Sequence, residues 1–271
     1  MIHPTAIVDA TAEIEDGVEI GAHCVVEGSV RIGAGTVLRP NSIIRQYTTL
    51  GQGNYVDSFA ALGGLPQDRK FDPRTVSYLH IGDQNIFREG VTISRATGEG
   101  AQTLVGNNTF WMANSHAGHN AVIEDEVVLV NGALVAGHAT IGRRATLSGN
   151  VAVHQFCWVG ELVMTQGLAA FSTHVPPFVM VANINRVVGL NKVGLQRCPY
   201  ITELDRHQIK DAFRLTYRSG LTPTQALAEL DLRADLGEPC KRYREFIRRV
   251  LQATRPFARG LCPRRRGREL D

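Results

Sequence analysis

Residues 121–159, AVIEDEVVLVNGALVAGHATIGRRATLSGNVAVHQFCWV, carry an aliphatic residue at every sixth position. Neither the 3.6-residue period of a helix nor the two-residue period of a simple strand produces a repeat of six. A period of six suits a prism with three flat faces, in which three hexapeptides make one coil and the repeated residue points inward. The inward positions predicted here are Ile123, Leu129, Val135, Ile141, Leu147, Val153 and Val159.

The same period organises most of the chain. It runs from Val8 to Leu62, resumes from Ile81 to Ile93, and starts again at Val105. The two interruptions, about residues 63–80 and 96–102, predict loops that leave the prism, and functional residues tend to lie on such loops. One coil cannot bury its own inner face, so we expect the stability to come from stacking of neighbouring coils.

The repeat fades after Phe171, and residues 175–177 (VPP) are expected to break any regular element. Further on the apolar spacing becomes helical, and residues 222–225 (TPTQ) predict a helix start with a capping box. We expect the apolar stripes of these helices to pack against the prism. The sequence therefore predicts a mainly β protein, with a parallel β-helix over 1–190 and an α-helical domain over 191–271.

Composition excludes several classes of protein. Of 271 residues 44% are apolar and 20% charged, so a buried core is available. The net charge of +3, from 29 basic and 26 acidic residues, is too small to indicate nucleic acid as the main partner. The five cysteines form no CxxC pair, which argues against a disulfide framework or a cysteine zinc site. Without a signal peptide or a long apolar run, we expect a cytoplasmic protein with no stable membrane insertion.

Four histidines fall in the most regular part of the prism: His116, His119, His138 and His154. With about eighteen residues per coil, they should lie near one edge and converge on one cleft, within a subunit or between neighbours around a threefold axis. Imidazole suits metal binding, and it also suits general base catalysis, in which a histidine takes a proton from an alcohol. Both chemistries stay open on the residues alone.

The ordered motifs resemble the UDP-N-acetylglucosamine 3-O-acyltransferases. This resemblance implies a homotrimer of left-handed parallel β-helices that needs no cofactor or metal. It also implies transfer of a 3-hydroxyacyl chain from acyl carrier protein to the 3-hydroxyl of UDP-N-acetylglucosamine, the first acylation of lipid A synthesis. The motifs are residues 67–70 (QDRK), 114–119 (NSHAGH), 136–138 (AGH), 153–156 (VHQF), 175–177 (VPP), 188–191 (VGLN) and 217–220 (YRSG).

The resemblance also implies roles for single residues. His119 matches the general base, and the backbone N–H of Gly137 matches the donor to the oxyanion. Gly167 matches the position that limits acyl length, and a glycine there is expected to admit a longer chain. The matches to substrate-binding positions are His138 and Gln155 for the acetylated amino sugar, Asp68, Lys70, His116 and His154 for the sugar and phosphates, and Asn191 and Arg197 for the nucleotide.

Two positions depart from the family pattern. The family has an aspartate directly after the catalytic histidine, where this chain has Asn120, which offers a carbonyl oxygen but no charge. In serine proteases the analogous change lowers turnover about 10⁴-fold through the wrong histidine tautomer. We therefore expect a slower or altered enzyme. Cys198 stands beside Arg197 where the family often has a second basic residue, so we expect weaker nucleotide affinity.

Other functions stay open at this stage. Asn120 permits a homologue that has lost turnover and only binds, or one that acylates a different UDP-amino sugar. The same fold also supports a zinc hydratase at a threefold interface, whereas the acyl and nucleotide motifs disfavour an acetyl-CoA-dependent acetyltransferase. An acidic carrier protein needs a basic surface. Either that surface or an ordinary solvated helix face explains Arg242, Arg244, Arg248 and Arg249.

Overall fold

Short parallel strands build a three-faced prism in the computed structural model, which describes residues 1–264. The end of the predicted helical domain, from Arg265 on, lies outside the described residues. Successive strands pass from face 1 to face 2 to face 3, and each pairs with the strand one coil away, as His116 does with Leu134. The fold is the predicted left-handed parallel β-helix with a C-terminal helical region.

The strands group by face. Face 1 contains β1 (Ile7–Val8), β4 (Val25–Val26), β7 (Ile43–Ile44), β10 (Ala61–Gly64), β13 (Thr92–Ser94), β16 (His116–Ala117), β19 (Leu134–Val135), β22 (Ala152–Val153) and β25 (Ala170–Phe171). Face 2 contains β2 (Glu13–Ile14), β5 (Arg31–Ile32), β8 (Thr48–Leu50), β11 (Tyr78–Ile81), β14 (Gln102–Val105), β17 (Val122–Ile123), β20 (Thr140–Ile141) and β23 (Trp158–Val159). Face 3 contains β3 (Glu19–Ile20), β6 (Val37–Leu38), β9 (Tyr55–Val56), β12 (Ile86–Phe87), β15 (Phe110–Trp111), β18 (Val128–Leu129), β21 (Thr146–Leu147), β24 (Met164–Thr165), β26 (Val179–Ala182) and the antiparallel β27 (Arg186–Leu190).

The residues that recur at every sixth position form the core of the prism. Every predicted inward residue from Ile20 to Val159 is buried, and Trp111 fills the axis without any exposed surface. Only Val8 and Ile14, in the first coil, are partly exposed, because no coil covers them from below. Stacking of coils therefore buries the apolar residues, as the period predicts.

A second feature with period six sets the corners. The third residue after most inward ones adopts a positive φ, as at Asn120 (φ 59°), His138 (φ 60°) and Asn150 (φ 54°). Asparagine adopts this left-handed region more readily than most residues. The glycines directly after inward residues serve a different purpose, since a β-carbon at Gly142 would lie 2.6 Å from the backbone nitrogen of Glu161 in the next coil.

Both loops lie close to their predicted positions. The first spans 65–77 rather than 63–80, because β10 extends to Gly64 and β11 begins at Tyr78. The second spans 95–101. Residues 176–177 lie in a turn and interrupt the strands as predicted, but the prism continues past them, since Val175 pairs with Val159 and β26 runs parallel to β24.

Four helices follow within the described residues: α1 (Lys192–Arg197), α2 (Glu203–Arg218), α3 (Pro223–Asp231) and α4 (Glu238–Gln252). Thr222 and Gln225 form the predicted capping box of α3. The stripes pack against the prism only in part. Phe213 joins the prism core, whereas Ile209, Tyr243 and Ile247 form a second core that the prism enters through Leu162 and Phe178. The division into domains at residue 190 stays a prediction.

Candidate active site

Most of the predicted site residues lie at the corner where face 1 turns into face 2. We call the turns 118–121, 136–139 and 154–157 at this corner the histidine corner; they lie in three successive coils. Both loops, 65–77 and 95–101, also leave face 1 and return to face 2. The histidines and both excursions therefore share one edge of the prism, as the sequence predicts for the histidines.

His119 is held on two sides. Its Nδ1 lies 2.9 Å from Oδ1 of Asn120, and Asn120 in turn contacts Thr97 in loop 95–101. On the opposite side, a β-carbon at Gly137 would lie 2.8 Å from Cε1 and Nε2 of the His119 ring. Only glycine at 137 leaves room for the ring, so the Nε2 edge faces the backbone of the next coil.

The backbone N–H of Gly137 has no acceptor among residues 1–264. At the same turn position on the corner between faces 2 and 3, several of these N–H groups donate to a carboxylate from the adjoining coil. Glu124 accepts from Arg143 at 2.8 Å, and Asp125 accepts from Asn107 at 2.7 Å. A buried donor left free beside a histidine is suited to hold a developing negative charge.

His138 and Phe156 continue the stack above His119. The ring centroids of His119 and His138 are 5.1 Å apart in an edge-to-face arrangement, and His138 stacks on Phe156 at 4.6 Å. Burial, and then the proximity of His119, lowers the pKa of His138. Burial also lowers the pKa of His116, whose Nδ1 lies 2.8 Å from Oγ1 of Thr92. Both rings are therefore neutral at pH 7 and able to donate or accept one hydrogen bond each.

Other predicted residues lie at the rim of this corner. His154 and Gln155 are exposed in turn 154–157, and Nδ1 of His154 lies 3.1 Å from the backbone oxygen of Gln155. Asp68 and Lys70 are exposed in loop 65–77, where Oδ1 of Asp68 accepts from the backbone nitrogen of Lys70. Their side chains are thus available to a ligand at the histidine corner.

Three predicted site residues lie elsewhere in the chain. Gly167 is exposed at the corner between faces 3 and 1. Asn191 lies at the corner between faces 2 and 3, where its side chain caps α1 and donates to the backbone oxygen of Leu162. Arg197 ends α1 and is exposed. A single chain therefore does not bring the nucleotide, acyl and histidine positions together.

Two residues of the site were missed in the sequence. Thr97 orients Asn120, and Arg95 holds loop 65–77 through hydrogen bonds to its backbone. Arg95 is buried, donates to the backbone oxygens of Ser77 and Pro73, and lies over the rings of Tyr47 and Phe71. Neither residue stands in a recognisable motif, since each acts through partners far away in the chain.

The arginines of α4 do not form the free basic surface that the sequence suggested. Arg242 pairs with Glu161 at 2.6 Å, and Arg248 pairs with Asp231 at 2.5 Å. Arg244 lies 3.6 Å from the same aspartate, and Arg249 lies 3.7 Å above the ring of Trp158. Arg242 and Arg249 also line a cavity of 720 Å³, which none of the predicted site residues lines.

Cys198 is buried in the helical core, with its sulfur 3.4 Å from Nη1 of Arg144. It therefore does not face a ligand. Among residues 1–264 no group of three His, Cys, Asp or Glu side chains is placed to hold a metal within one chain. The helices of this part of the chain are all too short or too polar to cross a membrane.

Comparison with known proteins shows the same architecture and the same sequence pattern. The family model of UDP-N-acetylglucosamine O-acyltransferase domain 2 matches residues 174–262, and that of the bacterial transferase hexapeptide matches residues 11–46. The O-acyltransferase of Herminiimonas arsenicoxydans is 37% identical over 91% of this chain and 96% of its own length, and that of Gloeothece citriformis is 45% identical over 70% and 68%. The crystal structure of UDP-N-acetylglucosamine O-acyltransferase from Moraxella catarrhalis superposes with a TM-score of 0.89 at 37% identity, over 96% of this chain and 99% of that one. The chain belongs to the family of acyl-[acyl-carrier-protein]–UDP-N-acetylglucosamine O-acyltransferases.

Proposed function

We propose that this chain transfers a 3-hydroxyacyl group from acyl carrier protein to the 3-hydroxyl of UDP-N-acetylglucosamine, the first step of lipid A synthesis. The observation that carries this function is a histidine with an oriented Nδ1 and a free backbone N–H beside its Nε2 edge. The identity of the two substrates is inferred from membership in the family.

In the proposed reaction, Nε2 of His119 takes the proton of the sugar 3-hydroxyl as that oxygen attacks the thioester carbon. The carbonyl oxygen becomes an oxyanion and accepts a hydrogen bond from the N–H of Gly137. When this intermediate collapses, the C–S bond breaks and the imidazolium returns its proton to the thiolate of the carrier. The products are the O-acylated sugar nucleotide and the free carrier thiol, and His119 ends neutral.

The remaining roles follow the family positions. His138 and Gln155 hold the acetylated amino sugar, and His116, His154, Asp68 and Lys70 contact the sugar and the phosphates. Asn191 and Arg197 hold the nucleotide, and Gly167 leaves room for a long acyl chain. Because these last three positions lie at the two other corners of the prism, the complete site requires more than one copy. A homotrimer, with a site at each of its three clefts, meets that requirement.

Turnover of His119→Ala tests the base. Removing a general base typically costs ~10²–10⁴-fold in rate, so kcat should fall by at least ~10²-fold while the exposed control His207→Ala keeps wild-type kcat. Mixing inactive His119→Ala with inactive Arg197→Ala subunits should restore part of the activity if one site draws on two chains. Full activity of His119→Ala would refute the base, and no restoration on mixing, with subunit exchange verified, would refute the shared site.

A groove of 430 Å³ between α1 and α2 offers the basic surface that α4 lacks. Its five basic residues are Lys192, Arg206, Lys210, Arg214 and Arg218, and none of them lies within ion-pair distance of a carboxylate among residues 1–264. Its one acidic lining residue, Asp211, pairs with Arg233 instead. We assign docking of the acidic carrier protein to this groove. Lys210→Glu with Arg214→Glu should raise KM for the acyl carrier protein by ~10-fold or more and leave KM for the sugar nucleotide unchanged, because like charges repel the carrier. An equal rise for both substrates would contradict the assignment.

A further inference from the structure

Asn120, the residue that departs from the family pattern, is held by the main chain of Thr97. Its Oδ1 lies 3.0 Å from the backbone nitrogen of Thr97 and 2.8 Å from Oγ1 of the same residue. Its Nδ2 lies 3.4 Å from the backbone oxygen of Thr97. The backbone N–H of Asn120 donates to Oγ1 of Thr103 at 2.8 Å, which anchors the turn itself.

These contacts determine which end of the amide faces His119. A backbone N–H only donates and a backbone carbonyl only accepts. The group opposite the N–H of Thr97 must therefore be the oxygen, and the NH₂ group must face the carbonyl of Thr97. If the amide were flipped, its NH₂ group would face the N–H of Thr97 and its oxygen would face the carbonyl oxygen of Thr97. Both contacts would be repulsive, so loop 95–101 prevents the flip.

The orientation of the amide then decides the tautomer of His119. Oδ1 of Asn120 lies 2.9 Å from Nδ1, and an amide oxygen only accepts, so Nδ1 must carry the hydrogen. In the neutral ring Nε2 is consequently the unprotonated nitrogen. That nitrogen is the one on the Gly137 side.

An aspartate would fit this position less well than asparagine. Its first oxygen could still accept from Nδ1, but its second would face the backbone oxygen of Thr97 at the 3.4 Å that Nδ2 now spans. Two acceptors at that distance repel each other. The asparagine is thus matched to loop 95–101, and the penalty seen in serine proteases, which stems from the wrong tautomer, does not arise here.

We propose that Asn120 and the main chain of Thr97 form a positioning pair that selects the Nδ1–H tautomer of His119 by geometry, without a negative charge. This inference deepens the proposed function, because it takes His119 as the base of that reaction. The tautomer itself can be read without any substrate.

The decisive variant is Asn120→Gly. Glycine keeps the left-handed turn (φ 59°) but removes the acceptor. Asn150→Gly is the matched control, since Asn150 occupies the same turn position on another corner with φ 54°. The tautomer is measured by long-range ¹H–¹⁵N NMR on histidine-labelled protein, with His119→Ala to assign the signal, at a pH where the ring is neutral.

We expect wild type and Asn150→Gly to show the Nδ1–H tautomer and Asn120→Gly to lose it. When the Nδ1–H tautomer is lost, kcat of Asn120→Gly should fall by ~10- to 10²-fold, as expected for a misoriented catalytic group. KM for the sugar nucleotide should stay unchanged. An Nε2–H tautomer in the wild type would overturn the proposal. So would a fall in kcat of Asn120→Gly with the tautomer unchanged, which would mark a merely structural role.

Two further variants separate the parts of the pair. Thr97→Ala loses the hydroxyl but keeps the backbone N–H, so the tautomer should persist; its loss would overturn the role of the main chain. Asn120→Asp should not exceed wild-type kcat, and a gain of several-fold would show that the missing charge matters more than the geometry. An Nδ1–H tautomer in a wild-type protein that fails to acylate UDP-N-acetylglucosamine would refute the proposed function and leave the positioning pair intact.

Discussion

Single residues decide how closely adjoining coils approach at the histidine corner. Gly137 is the clearest case, because the ring of His119 occupies the space where a β-carbon would be. Asn120 matters in another way, since it combines a left-handed backbone with a side-chain acceptor for the ring of His119. At this scale one added methyl group is enough to displace the ring of His119.

Gly137→Ala should lower kcat by ~10²-fold or more. The added methyl group would lie 2.8 Å from Cε1 and Nε2 of His119, so the ring must move, and misplacement of about 1 Å can cost a reaction that much. Gly149→Ala is the control, since its β-carbon would meet nothing nearer than 3.6 Å. The test is steady-state kinetics of both variants, after their melting temperatures have been shown to be equal. Similar kcat values for the two variants would contradict the prediction.

Among the elements, the two loops matter most, since they leave the prism at the same corner and are joined by Arg95. Its guanidinium group ties the end of face 1 to the base of loop 65–77, which carries Asp68 and Lys70. No carboxylate in the described chain forms an ion pair with it. Burial accordingly lowers the pKa of Arg95, although it stays charged at neutral pH.

Arg95→Met should loosen loop 65–77. The variant loses hydrogen bonds from a charged donor, each worth about 1.5–3 kcal/mol, so hydrogen exchange of residues 68–76 should accelerate and KM for the sugar nucleotide should rise. Arg88→Met removes an arginine that is 43% exposed and should change neither. An unchanged exchange rate in Arg95→Met would show that the loop is held by its own contacts.

On the scale of the whole molecule, the end of the chain returns to the prism at His174. This fully buried ring accepts from the backbone nitrogen of Trp158 through Nδ1 and lies 2.8 Å from the backbone oxygen of Phe257 through Nε2. The backbone of His174 also pairs with Gly260 and Cys262. His174 is therefore one of the groups that attach the chain after α4 to the last coils, in addition to the second core and the Arg242–Glu161 pair.

Acid should weaken this attachment. Burial lowers the pKa of His174, opposed by its hydrogen bond to Phe257 and assisted by Arg249 and Arg259. The unfolded chain takes up a proton below about pH 6.5 and the folded chain resists it, so stability is complete above that pH and falls as the pH drops toward the lowered pKa.

The free energy of unfolding, measured by urea between pH 5 and 8, should fall with a slope of up to about 1.4 kcal/mol per pH unit for this one proton. His116 and His138 act in the same direction. His174→Gln should therefore flatten the slope without abolishing it, whereas the exposed control His207→Gln leaves it unchanged. A slope as steep in His174→Gln as in wild type would assign the acid sensitivity to the other histidines.

The six-residue period by itself determined the three faces, the inward residues and the places where loops 65–77 and 95–101 leave. It could do so because the burial of each inward residue, such as Leu129, depends only on its place in the hexapeptide and on the equivalent residues in the coils above and below. The period also placed His119 and His138 at one edge. The spacing is lost after Phe171, so the period did not specify β26 and β27, the strands that end the prism.

Only the tertiary structure decided what surrounds those residues. The amide of Asn120 is oriented by Thr97, whose backbone returns from a loop, and no periodic signal predicts the geometry of that return. Arg242 and Arg248 of α4 pair with carboxylates such as Glu161, which lies 81 residues from Arg242 in the chain. A sequence pattern records which side chains face inward, whereas pairing between polar groups on the outside depends on distances that only the folded chain sets.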